Sequence, residues 1–414
     1  MDTDPRIPVT DTSVERVVDR TLDLIGVNTA NPPGHTAELI DRLESELETL
    51  ELATEQIVSD PAKPNLLTRL PGQRDEVLTY LGHADTVPFD ADEWRYDPLG
   101  ERRGERIYGR GATDMKGPLA AMIEVIHAYA TTERPPPVTL ELIVVSDEEV
   151  AGAAGLPTVL EEVSIDSAGC VIGETTCEGG RHSVTVADRG SIWLTLEARG
   201  EGAHGSRPML GVNAIDRLYA AVERIRERLQ TCRLEPPRAV CPILEESVSF
   251  YAPVLGEDTV RALFDGPSIN LGRFEGGDTV NSVPVRAVAE LDVRFSPGIP
   301  TRTALAELRS CVGECVGVQI RDVSWSVGTY EPTDSPLVEA VVTVAEAVSS
   351  DRVYRRSATG GGDAKNLRNA GVPTVEFAFG TDTVHSPDEH TTVDTLEANF
   401  ESYLHLPGAF AERM

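Results

Sequence analysis

Four β-type runs in this chain stop at clustered ionisable residues. After VLTYLG (77–82) come His83, Asp85 and, further on, Asp92; after VTLELIVVS (138–146) come Asp147, Glu148 and Glu149. After AGCVIG (168–173) comes Glu174, and after VPTVEFAF (372–379) come Asp382 and His385. Any one of these residues alone reads as a surface charge or as a core histidine with satisfied nitrogens. Taken together they read differently. In an open α/β sheet ligands bind outside the carboxyl ends of the strands, so residues far apart in sequence converge there. Two histidines among several carboxylates in one cleft suit a borderline divalent metal, zinc first, through nitrogen and oxygen ligands.

The elements that must position these residues alternate in type. TSVERVVDRTLDLIGVNT (12–29) carries apolar residues at helical spacing and stops before the breaker Asn31-Pro32-Pro33-Gly34. Short strands are expected at NLLTRL (65–70) and at the four runs above, with helices at 115–130 (MKGPLAAMIEVIHAYA) and 155–163 (GLPTVLEEV) between them. This order implies an α/β mixed sheet with helices on both faces. The character changes after Gly190: strand SIWLTLEARG, a long helix through GVNAIDRLYAAVERIRERL, strands SINLGRF and VRAVAELDVRF, helix TRTALAELRSCVGECV and strand VQIRDVSWSV. That succession suits a small α+β domain of ferredoxin-like type, inserted at 190–328 into an α/β domain made of 1–189 and 329–414. From SPLVEAVVTVAEAV (335–348) the α/β pattern resumes, with a final helix after Asp394.

A chain of 414 residues is long for one core and agrees with two domains. The formal net charge of −31 argues against nucleic acid or an anionic membrane as partner. Only three lysines occur, Lys63, Lys116 and Lys365, among 37 basic residues, and an acidic surface nearly free of lysine suggests a halophilic source. No run approaches the roughly 20 apolar residues of a membrane span, and MDTDPRIPVTD has neither the basic nor the apolar region of a secretory signal, so a cytoplasmic location is expected. The six cysteines read as free thiols.

LGHADTVP, GRGATDMKG, SDEEVAG, IGE and TVHSPDEH, in this order and with these gaps, resemble the co-catalytic zinc metallopeptidases and deacylases. These include acetylornithine deacetylase, succinyl-diaminopimelate desuccinylase, aminoacylase-1 and carboxypeptidase G. GAHGSRP (202–208), NSVP (281–284), DVRFSP (292–297) and TGGGDAK (359–365) extend the match over nearly the whole chain. The resemblance implies two Zn²⁺ ions, replaceable by Co²⁺, with His83 and Glu174 on one, Glu149 and His385 on the other and Asp114 bridging. It implies Asp85 as a hydrogen-bond partner of the His83 imidazole and Glu148 as general base. His204 would hold the oxyanion in a partner subunit's site, which makes a homodimer through the inserted domain the expected assembly. Asn281 and Arg294 would line the substrate pocket, bordered by Gly361 and Gly362. Gly362 stands where many relatives have Thr, and Lys365 where many have Arg. The implied reaction is hydrolysis of the amide bond of an N-acyl amino acid; a dipeptidase or carboxypeptidase with the same metals, or a binding protein without chemistry, are the alternatives.

Overall fold

The computed structural model describes residues 7–414 apart from Glu133 and Arg233. Residues 1–6, part of the segment read for a secretory signal, lie outside the described residues. The chain divides into two compact units, one of residues up to 186 with 331–356 and 362–414, the other of residues 187–330 with 357–361.

In the first unit the apolar runs form adjacent parallel strands in the order Thr139–Val145, Val77–His83, Gly169–Ile172, Thr374–Glu376. Strands covered on both faces need apolar side chains at nearly every position, which is why these runs are continuous rather than alternating. On one face Leu81, Ile143, Val145 and Ile172 pack against helices Leu156–Glu162 and Asp363–Asn369 through Leu156, Val159, Ala364 and Leu367. On the other face Tyr80 donates its hydroxyl to the carbonyl of Tyr403 at 2.6 Å, in helix Val393–Ala411. That helix packs with Asp11–Ile25 and with Lys116–Ala130. Lys116–Ala130 is apolar nearly all round and almost wholly buried, as a crossover helix between parallel strands must be. Antiparallel strands Asn65–Leu70 and Ala53–Ile57 close one edge of the sheet, and His182–Asp188 pairs beyond Thr374–Glu376. Because the four central strands run the same way, their carboxyl ends share one edge, and the ionisable clusters meet there.

The second unit is a four-stranded antiparallel sheet in the order Ser268–Gly276, Arg286–Phe295, Gly190–Arg199, Val318–Ser326. Alternate residues, Ile192, Leu194 and Leu196 on one strand and Ala289, Leu291 and Val293 on the next, face helices Ala214–Thr231 and Thr301–Gly313. Two further helices, Cys241–Leu255 and Glu257–Phe264, interrupt the expected order. The first carries Pro242 and Pro253 and a Ser-Val-Ser-Phe run, residues that weigh against a helix by propensity. It also holds the short 357–361 segment: Ser357 donates its N–H to Ser247 Oγ at 2.9 Å. Gly361 therefore groups with the second unit and Gly362 with the first, whereas the sequence reading kept the two together. All six cysteines are free. Among the described residues no helix is long and apolar enough to cross a membrane.

Candidate metal centre

His83 ends its strand with its side chain 1% exposed. Its Nδ1 lies 2.9 Å from the backbone carbonyl of Asp85. A carbonyl only accepts, so Nδ1 carries a proton and Nε2 is the nitrogen turned inward, able to act as a ligand once its own proton is lost. There Nε2 lies 3.2 Å from Asp114 Oδ1 and 3.4 Å from Glu174 Oε1. The other oxygen of Asp114, Oδ2, lies 3.0 Å from His385 Nε2, which is itself 3.2 Å from Glu149 Oε2. Two donor triads result, His83–Asp114–Glu174 and Asp114–Glu149–His385, each with ligand atoms within 4.8 Å of one another. Asp114 belongs to both and offers a different oxygen to each. The donor chemistry fits a pair of divalent cations: two imidazoles and three carboxylates, the shared one placed to bridge.

The electrostatics of the metal-free protein point the same way. Hydrogen bonds to Asp114 and Glu149 push the His385 pKa up to about 10. Burial pulls the His83 pKa down, but hydrogen bonds to Asp114 and Glu174 prevail and raise it. Burial opposes ionisation of Asp114, yet bonds to His385 and His83 hold its carboxyl well below the usual range. Without a metal the cluster therefore keeps protons on its histidines at neutral pH. A metal ligand must be deprotonated, so uptake must expel them. Burial, and then the neighbouring Asp114 carboxylate, also push the Glu174 carboxyl well above its usual range, so metal uptake near pH 7 should release protons from this carboxyl as well as from the imidazoles, and apparent affinity should fall as the pH is lowered. Calorimetry in buffers of different ionisation enthalpy measures this release; affinity independent of pH between 6 and 8 would contradict it.

Glu148 stands outside both triads. Burial pushes its carboxyl up to about 8. The turn that carries it is fixed from beneath by Asp85, whose Oδ1 accepts the N–H of Glu148 at 3.1 Å and whose Oδ2 accepts that of Glu149 at 3.2 Å. Asn31 Nδ2 also donates to Asp85 Oδ2, at 2.8 Å. Asp85 does hydrogen-bond the His83 imidazole, through its main chain. Its backbone carbonyl, rather than its carboxylate, holds the imidazole, because the carboxylate is occupied by three N–H donors and its Oδ1 lies 3.6 Å from His83 Nδ1. Asp147, with φ 73°, accepts from Lys63 and from Asn31 and so anchors the same turn. A Cβ at Gly152 would lie 1.7 Å from Asp147 Oδ2, so any side chain there would displace the carboxylate that anchors the turn.

Threonine hydroxyls join the remaining loops. Thr175, next to Glu174, donates to the carbonyl of Thr113, next to Asp114, at 2.8 Å. Thr381 donates its N–H to Thr113 Oγ1 at 3.1 Å. Nothing in the sequence pattern marks these threonines beyond their place beside the ligands. Asp92 and Asp382 do not join the triads: Asp92 lies in the exposed turn Ala91–Glu93, and Asp382 accepts the N–H of Gly179. Gly362 opens helix Asp363–Asn369, and a Cβ there would sit 3.5 Å from Glu148 Oε1.

In the second unit His204 and Asn281 are neighbours. His204 pairs with Ser282 as an isolated β-bridge, and Gly205 donates its N–H to the carbonyl of Asn281 at 2.6 Å. The imidazole is exposed, with Nδ1 2.8 Å from Ser206 Oγ. Arg294 gives Nε and Nη2 to Asp292, at 2.8 and 3.0 Å, and Nη1 takes no part in that pairing.

Comparison with known proteins agrees with this geometry. The chain is 26% identical over 406 residues to a probable succinyl-diaminopimelate desuccinylase of Staphylococcus epidermidis, covering 94% of this chain and 96% of that one. It is 27% identical over 378 residues to the acetylornithine deacetylase of Vibrio campbellii, covering 88% and 89%. The fold is that of the M20 family metallo-carboxypeptidase Sso-CP2 from Sulfolobus solfataricus, with TM-score 0.72, 18% identity, and 97% of this chain and 100% of that one covered. Residues 79–408 match the model of peptidase family M20/M25/M40. The chain belongs to that family.

Proposed function

We propose that the protein is a metal-dependent hydrolase that cleaves the amide bond of an N-acyl amino acid, in the manner of acetylornithine deacetylase or succinyl-diaminopimelate desuccinylase. One observation carries the reading: Asp114 presents a separate oxygen to each of two histidine-containing triads. In this reading His83, Asp114 and Glu174 hold one Zn²⁺, and Asp114, Glu149 and His385 the other, with Co²⁺ able to replace it. Bound there, the ions supply Lewis acidity to the scissile carbonyl and bring the pKa of a water toward about 7. Glu148 accepts the proton of the attacking water and returns it to the leaving nitrogen. His204 donates to the oxyanion, Asn281 and the free Nη1 edge of Arg294 contact the substrate, and Gly361 and Gly362 border it.

The test is a panel of N-acetylornithine, N-succinyl-diaminopimelate, N-acetyl amino acids and dipeptides with added Zn²⁺ or Co²⁺. Acyl amino acids should be cleaved fastest. Cleavage of dipeptides alone makes the protein a peptidase, and inactivity throughout makes it a binding protein.

The acidic surface supports a cytoplasmic enzyme of a high-salt cell. All three lysines are withdrawn from solvent: Lys116 and Lys365 are 1% and 6% exposed, and Lys63 is 15% exposed against Asp147. Arginine and carboxylates are left to cover the outside.

We further propose a homodimer in which His204 serves the partner's site. Loss of an oxyanion donor costs about 10²–10³ in kcat, roughly 2.7–4 kcal/mol, and leaves metal binding alone. His204→Ala should behave so. Mixed with inactive Glu148→Ala chains under conditions of demonstrated subunit exchange, it should recover partial activity, because one site per heterodimer is then intact. Exchange without recovery would place His204 in its own chain's site or outside catalysis.

A further inference from the structure

Glu389 and Arg110 lie in the same unit as the metal centre, 0% and 4% exposed, and neither belongs to a donor triad. Glu389 comes four residues after His385. Its Oε1 accepts three backbone N–H groups, those of Gly111 at 3.1 Å, Thr113 at 3.0 Å and Asp114 at 3.1 Å. Its Oε2 accepts Nη1 of Arg110 at 2.5 Å, and Nη2 of Arg110 continues to the backbone carbonyl of His385 at 3.2 Å. The guanidinium also lies over Trp94, 5.3 Å from the ring centroid. Burying an ion pair costs desolvation that its attraction does not always repay, and apolar packing holds two loops together equally well. Apolar side chains cannot aim N–H and C=O groups. A carboxylate and a planar guanidinium can, because each makes several directed bonds at once.

We propose that Glu389 and Arg110 are positioning residues that set the separation between Asp114 and His385, and so decide whether the Asp114–Glu149–His385 triad can hold its ion. The proposal rests on the two-ion reading given above. The pair acts unequally on the two triads. Glu389 fixes the backbone of Asp114, which both triads share, whereas Arg110 bonds directly to the backbone of His385 and touches Asp114 only through Glu389. Loosening Arg110 should therefore weaken one ion and spare the other, a selectivity that general support of the fold does not produce.

The experiment titrates metal-free protein with Zn²⁺ by calorimetry and follows folding separately by thermal melting. Glu389→Gln combined with Arg110→Met keeps an amide oxygen for the three N–H groups, leaves no unpaired buried charge and removes the link to His385. We expect one Zn²⁺ to bind with unchanged affinity and the other to weaken by about 10–100-fold, the usual effect of losing a group that orients a metal ligand. Arg110→Lys keeps the charge opposite Glu389 but not the planar fork spanning both partners. It should show the same selective loss if the double variant does not fold. Glu389→Ala, which also frees the Asp114 backbone, should weaken both ions. Wild-type affinity for both ions in a folded Arg110 variant, or equal weakening of both, overturns the positioning role. Fewer than two Zn²⁺ per unaltered chain overturns the two-ion reading and the proposal with it.

Discussion

Asp114→Ala is expected to abolish binding of both metal ions and to lower kcat/KM by on the order of 10⁴–10⁶, the loss seen when one member of an interdependent catalytic set is removed. Its two oxygens face different histidines, at 3.2 and 3.0 Å, so one substitution takes a ligand from each triad. The loss is electrostatic as well as geometric. Removing one of three carboxylates leaves two divalent charges opposed by Glu149 and Glu174 alone, in a buried site where charge is weakly screened. Each histidine also loses one of the two carboxylate partners that raise its pKa, and in the metal-free variant only Glu174 beside His83 and Glu149 beside His385 still raise it. Asp114→Asn separates the two effects: it keeps a single carbonyl oxygen and the volume, so one ion should remain at weakened affinity. Elemental analysis after dialysis, with activity measured against added Zn²⁺, checks both variants. Two tightly held ions per chain in Asp114→Ala would remove the basis for a bridging carboxylate.

What the sequence made legible follows the physics of the sheet. His83, Glu148, Glu149 and Glu174 stand directly after continuous apolar runs, and parallel strands bring such positions to one edge whatever lies between them. Asp114 follows no strand. It precedes the buried helix Lys116–Ala130, and only its resemblance to a known motif singled it out. The run VPTVEFAF reads as eight residues of strand, yet only Thr374–Glu376 pairs as one. Beyond it the backbone finds other partners: Asn399 takes the N–H and the carbonyl of Phe379 at 2.7 and 2.9 Å, and Thr176 donates its N–H to the carbonyl of Ala378 at 3.1 Å. This early exit from the sheet frees the loop that carries His385. Periodicity could not reveal it, because Phe377, Ala378 and Phe379 stay buried beyond the last strand residue and so prolong the apolar run. The buried supports Glu389 and Arg110 were equally hidden, and so was the part of Asp85 that holds the turn of Glu148 and Glu149. A carboxylate that accepts backbone N–H groups has the same letter as one that faces solvent, and only the fold says which donors converge on it.

Glu148 and Glu149, adjacent in sequence, should fail in different ways when substituted. Both N–H groups donate to Asp85, so the backbone of the turn survives loss of either side chain. Glu149 sends Oε2 toward His385 and accepts the N–H of Val87 on Oε1 at 3.1 Å. Glu149→Ala should therefore empty the triad that contains His385 and leave the one that contains His83 filled. The Glu148 carboxylate belongs to neither triad, and its neighbour across the cleft is Gly362, where a Cβ would stand 3.5 Å away. A side chain at 362 would therefore lie in van der Waals contact with the Glu148 carboxylate. Glu148→Ala should retain both metals and lose about 10²–10⁴ in kcat, the usual contribution of a general base. Glu148→Gln, which preserves shape but cannot take a proton, should lose nearly as much, since the lost function is proton transfer rather than packing. Binding of an uncleaved substrate analogue should change little in either variant, because a base contributes chiefly where the proton moves. Metal content and kcat measured on the same preparations decide the assignment: if Glu148→Ala emptied the site while Glu149→Ala kept its metal and lost turnover, the two roles would have to be exchanged.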